Sequence, residues 1–223
     1  MKITYLGHAG IKLEIGHKVI IIDPFLTGNP KAPFGPEAIE RADIVIVTHD
    51  HGDHLGDALE IAKRTNAVFV SQHELAVMAA EKGIQRTEGM NIGGPISVDG
   101  VKIALTPAWH TAQLGDPTGA VVQYQGFSVY HAGDTGLFLD MQLIGELYKP
   151  DVAFLPIGGR YTMDVFQAAK AVEFIKPDTV IPIHYNTFPI IEADPEEFKK
   201  LVGDKANVII LEPGKTTLYE KIV

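Results

Sequence analysis

The sequence predicts a mixed α/β chain built on two central sheets, and three observations carry that prediction. Short runs rich in Ile and Val, bounded by Gly, Pro, Asn or Asp, follow an opening meander and then alternate with helical segments. Residues 11–48 and 119–156 are weak copies of one another: a hairpin about a glycine turn, an aspartate ending it (Asp23, Asp134), then a strand opened by Asp43 or Asp151. No linker separates the copies, so one pseudo-duplicated domain spanning residues 1–223 is expected. Finally, Thr48-His-Asp-His-Gly-Asp-His54 follows the apolar strand Asp43–Val47, at a carboxyl end where open α/β sheets place their ligands.

The elements follow in order. Ile3–Leu6 begins a strand, and Ile11–Ile15 pairs with Lys18–Ile22 about Gly16-His17, with Asp23-Pro24 closing the hairpin. Residues 24–36 hold four prolines and two glycines without periodicity, which describes a long loop at the rim of a pocket. Leu55–Arg64 reads as helix and Ala67–Val70 as strand. Ser71-Gln-His-Glu74 reads as a capping box for a helix closed by Gly83, which puts His73 on the surface. Ile96–Val98 and Val101–Leu105 flank Asp99-Gly100, a strong hairpin signal, and lead into Pro107-Ala-Trp-His110 and a polar loop at 111–118. Strands 119–125 and 127–132 pair about Gly126 and are broken by Gly133-Asp-Thr-Gly136. A helix Leu137–Tyr148, a strand Val152–Pro156, a helix capped near Thr162 and running to Ile175, and a strand Thr179–Ile183 come next. Asp194-Pro-Glu-Glu197 offers an N-cap, a proline at N1 and a glutamate at N3 for a helix to Val202, and strands Val208–Leu211 and Thr216–Ile222 end the chain.

Composition narrows the function. Apolar residues make up 46%, but their longest runs are far too short to span a bilayer, and Met1-Lys2 leads straight into a strand, so a cytoplasmic chain without a signal peptide is expected. There is no cysteine, so disulfides and thiolate ligands are excluded and any metal must be held by nitrogen and oxygen. A net charge of −9, from 28 acidic and 19 basic residues, disfavours nucleic acid and favours a small-molecule substrate; a homo-oligomer is compatible with it.

Three histidines within the six positions 49–54 stand against the about 0.24 that chance would place there, so the cluster reads as a metal site. In extended backbone His49, His51 and Asp53 share a face and Asp50 takes the other, while Gly52 permits the turn that brings in His54. Further candidates stand at strand carboxyl ends: His110, Asp134 and His184. Each has a duller reading. His110 could be a loop histidine, Asp134 could make an Asx-turn, and His184 could be a neutral core histidine. His131 points away from a neighbour one place along its strand and takes a structural reading, and His17 sits on an exposed turn.

The His49-Asp-His-Gly-Asp-His54 run matches the H-x-H-x-D-H signature of the metallo-β-lactamase superfamily, which this chain resembles from about Met1 to Tyr185. Ile-Asp-Pro at 22–24, Gly-Asp-Thr at 133–135 and Ile-Pro-Ile-His-Tyr at 181–185 carry the likeness along the chain. Flavodiiron proteins have glutamate where His51 stands, so oxygen reduction is disfavoured. Gly-His-Ala at 7–9 is similar to the branch of uncharacterised metal-dependent hydrolases near ascorbate phosphate lactonase, which puts His8 in the lining of the site.

The resemblance implies a four-layer αββα sandwich and two divalent metal ions, zinc or manganese foremost. It implies His49, His51 and His110 at the first ion, Asp53, His54 and His184 at the second, and Asp134 bridging both. Asp53, Asp134 and His8 form the expected catalytic set. Asp23 is either a hairpin-end turn residue or a carboxylate that orients a ligand histidine. The expected reaction is hydrolysis of a small ester, lactone or phosphorylated substrate by water activated between the ions. A phosphodiesterase or nuclease is the alternative, and a non-catalytic metal-binding protein the third reading. Trp109, Arg160, Tyr161, Thr162 and Tyr185 are candidates for the pocket. Arg160, with Gly158-Gly159 and a helix starting near Thr162, would suit an anionic group.

Overall fold

Branched apolar side chains on both faces of the inner strands require cover on both sides, which two facing sheets with outer helices supply. The computed structural model describes residues 1–221. Its strands are β1 (Lys2–Gly7), β2 (Gly10–Ile15), β3 (Lys18–Ile22), β4 (Ile44–Ile46), β5 (Val68–Gln72), β6 (Thr87–Met90), β7 (Ile96–Val98), β8 (Val101–Pro107), β9 (Thr118–Tyr124), β10 (Phe127–His131), β11 (Val152–Pro156), β12 (Thr179–Ile183), β13 (Asn207–Val208) and β14 (Thr216–Leu218). The helices are α1 (Gly52–Leu55), α2 (Ala58–Thr65), α3 (His73–Glu81), α4 (Met141–Tyr148), α5 (Val165–Ile175) and α6 (Pro195–Val202).

Two seven-stranded sheets result, ordered β14-β1-β2-β3-β4-β5-β6 and β13-β12-β11-β10-β9-β8-β7. Between them lies one apolar core, with Ile3, Leu13, Ile20 and Val70 from the first sheet against Ile103, Val122, Phe154 and Ile181 from the second. Outside the first sheet Ile61 and Leu75 of α2 and α3 pack on Val45 and Phe69; outside the second, α4, α5 and α6 cover Tyr130, Leu155 and Val180. The αββα sandwich is therefore present.

The halves match strand for strand. In each an antiparallel hairpin, β2-β3 or β9-β10, is followed by parallel pairings, β3-β4-β5-β6 or β10-β11-β12-β13. Asp43 and Asp151 do the same work: Asp43 Oδ2 accepts from the Val19 amide at 2.7 Å, and Asp151 Oδ2 accepts from the Ser128 amide at 2.7 Å. The pairing of Asp23 with Asp134 needs correction. The Asp23 amide donates to Ile46 O as the Ala132 amide donates to Phe154 O, so Asp23 is equivalent to Ala132 and Asp134 lies two residues further on.

Other expectations shift for local reasons. The helix expected over Leu55–Arg64 is two, α1 and α2, divided at Gly56, whose φ of 39° and close approach to the Pro24 carbonyl leave no room for a Cβ. No capping box forms at Ser71, which remains in β5 with Oγ donating to Val47 O, so Gln72 is the N-cap of α3. α4 starts at Met141 rather than Leu137. The helix expected from Thr162 starts at Val165, because Asp164 caps it by accepting from the Gln167 amide. β6, with the sequence Thr-Glu-Gly-Met, had no strand signal, and β13 stops at Val208 rather than Leu211. β14 ends at Leu218, and Ile222, the expected end of that strand, lies outside the described residues. Among the described residues no helix is long and apolar enough to cross a membrane.

Candidate metal centre

The strand β4 ends in a buried polar step, and Thr48 organises it. Its amide and hydroxyl donate to the two oxygens of Asp23 at 2.8 and 2.7 Å, and its carbonyl accepts from Thr118 across the gap between the sheets. Beyond it the chain enters α1 with His51 as N-cap, which turns His54 back under His49. Asp50 faces the other way, as the extended backbone predicts, and accepts from the amides of Gln113 and Leu114 at 2.9 Å, fixing the 111–118 loop beside the site. Asp57 does the same for the 24–36 loop through the amides of Leu26 and Thr27.

The ligand candidates converge. His49 Nε2 lies 3.1 Å from His51 Nδ1, and His110 Nε2 lies 3.3 Å from the same atom. Asp134 stands between this trio and the rest. Its Oδ2 is 3.4 Å from His110 Nε2, 3.1 Å from His184 Nε2 and 4.0 Å from His49 Nε2, and its Oδ1 is 3.1 Å from His54 Nε2. On the far side His184 Nε2 approaches Asp53 Oδ2 at 3.8 Å, and His8 Nε2 lies 3.0 Å from that oxygen. His49, His51 and His110 thus make one compact donor group and His8, Asp53, His54 and His184 another.

These residues fit divalent ions on their own evidence. His54 Nε2, Asp134 Oδ1 and both ring nitrogens of His184 are buried, and although Asp134 stands 3.1 Å from His54 and from His184, none of these atoms makes a hydrogen bond of good geometry. Such orphans are costly unless something else meets them, and a cation does. Protonation is arranged to suit. Burial brings His49 down to about 3, with His54 adding to the effect, and brings His8 down to about 4 against the raising influence of Asp53, so both imidazoles stay neutral at neutral pH. Burial would raise Asp134, yet His184 and His54 hold it well below the ordinary carboxylate range. Burial would likewise lower His54, but Asp134 and Asp23 override it and hold it well above the usual value. The negative potential that keeps a proton on His54 is what a divalent cation would neutralise.

Of the two readings open for Asp23, the geometry supports the orienting one: its Oδ2 sits 2.7 Å from His54 Nδ1, which leaves Nε2 aimed at the centre. His131 is satisfied on both nitrogens, with Nε2 on Ala9 O and Nδ1 accepting from the Gly133 amide, in keeping with a structural histidine.

The pocket candidates divide. Trp109 is fixed by its backbone, its amide donating to Thr135 Oγ1 and its carbonyl accepting from Gly136, while its indole is 71% exposed beside His110. The 159–163 loop reaches the site through the Met163 amide, which donates to Thr135 O. Arg160 is exposed and lies over the Tyr161 ring at 5.5 Å from its centroid. Thr162 is buried with its hydroxyl turned to Met163 O, so it neither caps α5 nor opens on the pocket. Tyr185 lines a cavity of about 260 Å³ behind His8, together with Lys31, Thr187 and Leu211. Thr187, and the role of Thr48 at the head of the His49–His54 stretch, escaped the sequence reading, since a threonine at a loop start carries no pattern of its own.

Comparison with known proteins accords with this geometry. A family model described as a beta-lactamase superfamily domain matches residues 18–185. A protein of Methanopyrus kandleri named as a UPF0173 metal-dependent hydrolase is 54% identical, over 99% of this chain and 100% of its own length. One of the same description from Archaeoglobus fulgidus is 50% identical over the same shares. Among solved structures, Igni18, described as a novel metallo hydrolase from Ignicoccus hospitalis, superposes with a TM-score of 0.95 at 49% identity, covering 99% of each chain.

Proposed function

The chain belongs to the metallo-β-lactamase superfamily, and on that premise we propose that it is a metal-dependent hydrolase acting on a small ester, lactone or phosphorylated substrate at a two-ion centre. The observation that carries this reading is the set of buried donor atoms that make no well-aligned hydrogen bond, His54 Nε2, His184 Nδ1 and Nε2 and Asp134 Oδ1, gathered against His49, His51 and His110. His49, His51 and His110 would hold one ion, Asp53, His54 and His184 the other, and Asp134 would reach both. Zinc and manganese suit a donor set of imidazoles and carboxylates without thiolate. Ions so held supply Lewis acidity, lowering the pKa of coordinated water and polarising a carbonyl or phosphoryl oxygen.

The protein's own residues do the rest. Asp53, whose side chain is 32% exposed against 3% for Asp134, is the carboxylate placed to orient an attacking water, and Asp134 acts as the buried pivot. Thr48, Asp23 and Asp50 fix the loops from which the ligands project, so little reorganisation accompanies reaction. Trp109 and Tyr161 offer exposed aromatic surface at the rim for a small substrate. Asp164 closes the amino terminus of α5 with its own carboxylate, so of the two features expected to suit an anionic substrate group, that helix end and Arg160, Arg160 is left. If so, Arg160→Ala raises KM for an anionic substrate and not for its neutral analogue; equal effects on both would reject that anchor.

The overall reading is tested with ester, lactone and phosphodiester substrates, each with chelator and after metal is restored. Turnover of an ester or lactone that chelator abolishes and zinc or manganese restores is expected. Turnover of phosphodiesters alone would favour the nuclease reading, and activity indifferent to chelator would overturn both.

A further inference from the structure

His8 belongs to the compact donor group with Asp53, His54 and His184, yet it differs from its neighbours in one respect. The Nε2 atoms of His54 and His184 approach Asp134 without making a well-aligned hydrogen bond, whereas both ring nitrogens of His8 make one. Its Nδ1 lies 2.9 Å from Thr187 Oγ1 and its Nε2 lies 3.0 Å from Asp53 Oδ2. The tautomer follows from Thr187. Apart from His8, among the described residues the hydroxyl of this buried threonine has only the Tyr185 carbonyl, 3.5 Å away at the limit of a hydrogen bond, to receive its proton. The proton is better spent on His8 Nδ1, so Nε2 carries the ring hydrogen and donates it to Asp53.

The backbone holds the relay at both ends. His8 adopts a left-handed φ of 57° between β1 and β2, a conformation that costs a non-glycine residue about 1 kcal/mol and persists only where the surroundings impose it. They do so here. The His8 carbonyl accepts from Tyr5 Oη at 2.8 Å and from the His184 amide at 2.7 Å, which fastens the turn of one sheet to the end of β12 in the other. The loop carrying Thr187 is pinned by Asn186, whose side-chain amide exchanges two hydrogen bonds with the backbone of Ala193.

We propose that Thr187 and His8 form a positioning relay that sets the orientation of Asp53 for the second ion, and that His8 is not itself a ligand. The proposal rests on the metal-centre reading above. Orienting partners of ligands are worth about 10–100-fold in metal affinity, whereas loss of a ligand empties the position.

The test is competitive zinc titration of the metal-free chain against a chromophoric chelator, for wild type, Thr187→Val, Thr187→Ser, His8→Ala and His184→Ala, with thermal melting as a folding control. Thr187→Val is expected to weaken the second equivalent about 10-fold and Thr187→Ser to restore it to within about twofold. His8→Ala should weaken that equivalent by up to about 100-fold while still filling at excess zinc, whereas His184→Ala should lose it. Long-range ¹H–¹⁵N spectra of the wild-type zinc form give a readout independent of any variant's folding: His8 should carry its proton on Nε2. A proton on Nδ1, loss of a full equivalent in His8→Ala at excess zinc, or equal affinities for Thr187→Val and wild type would each overturn the relay. A wild-type chain that takes up no zinc would sink the metal-centre reading instead.

Discussion

Asp23 and Asp134 each follow the hairpin of one half, and the two-residue offset between them explains why they serve the site differently. Asp23 still bonds as a strand residue and accepts from Thr48 and His54 beneath the ligands. Asp134 has left the strand, so its carboxylate reaches into the space shared by four imidazoles. A second contrast lies after the next strand. In the first half the chain leaving β4 carries four of the seven candidate ligands, His49, His51, Asp53 and His54. In the second half the chain leaving β11 carries Gly158, Gly159, Arg160 and Tyr161, and the remaining candidates come from three separate strand ends. The two halves share one strand plan, but the first concentrates candidate ligands on one loop while the second spreads His110, Asp134 and His184 over three strand ends.

The largest effect should come from that pivot. Asp134→Ala removes the carboxylate that lies within 4.0 Å of imidazoles from both donor sets, and we expect it to abolish retention of two ions and lower kcat/KM at least about 10³-fold, more than 4 kcal/mol of transition-state stabilisation. Asp23→Ala, acting through His54, should weaken metal binding about 10–100-fold while both ions still bind at excess metal. Metal analysis and steady-state kinetics distinguish them, and equal losses in the two variants would erase the contrast.

Acid should destabilise the metal-free chain next most strongly. His8 and His49 are held at about 4 and 3, below their unfolded value near 6.5. The unfolded chain therefore binds protons first, and stability present above about pH 6.5 is lost as pH falls toward 4. His54, whose value is raised, contributes in the opposite sense: its stabilisation is complete below 6.5 and is lost only as pH rises through its folded value, so it cannot offset that loss. Melting temperatures measured from pH 7.5 to 4.5 should fall, and His49→Gln should flatten the slope; a level profile in the wild type would contradict the buried neutral imidazoles.

The shared scaffold is probed by Asp43 and Asp151. Each caps the same backbone amide in its half and pairs with a cation at 3.0 Å, Asp151 with Lys221 and Asp43 with Arg41, but Asp151 is almost fully buried whereas Asp43 is partly open to water. Asp151→Ala should cost about 1–3 kcal/mol in denaturant unfolding and Asp43→Ala less. The reverse order would break the correspondence. The smallest effect is expected from Asp50→Ala, which frees the 111–118 loop: KM should rise a few-fold with metal content unchanged.

Much of this was legible in the sequence because the chemistry is dense there. His49 to His54 announces itself by composition, and hairpin turns such as Asp99-Gly100, both at positive φ, fix strand pairing locally. The correspondence of the halves was visible too, since Asp43 and Asp151 recur at nearly the same spacing, 24 and 23 residues, from the amides they cap. What was hidden depends on long-range contact. The Asp23 offset appears only through hydrogen bonds between strands, and the split of α1 from α2 comes from Pro24 pressing on Gly56. Ser71 was misread because its hydroxyl finds Val47 rather than a helix amide. Thr187 is meaningful only beside His8, 179 residues earlier.

The central claim, a two-ion centre built jointly by both halves around Asp134, is tested most directly by elemental analysis of metal-saturated protein. We predict close to two divalent ions per wild-type chain, loss of most of the first in His51→Ala and loss of most of the second in His54→Ala. Full metal content in both variants would contradict it.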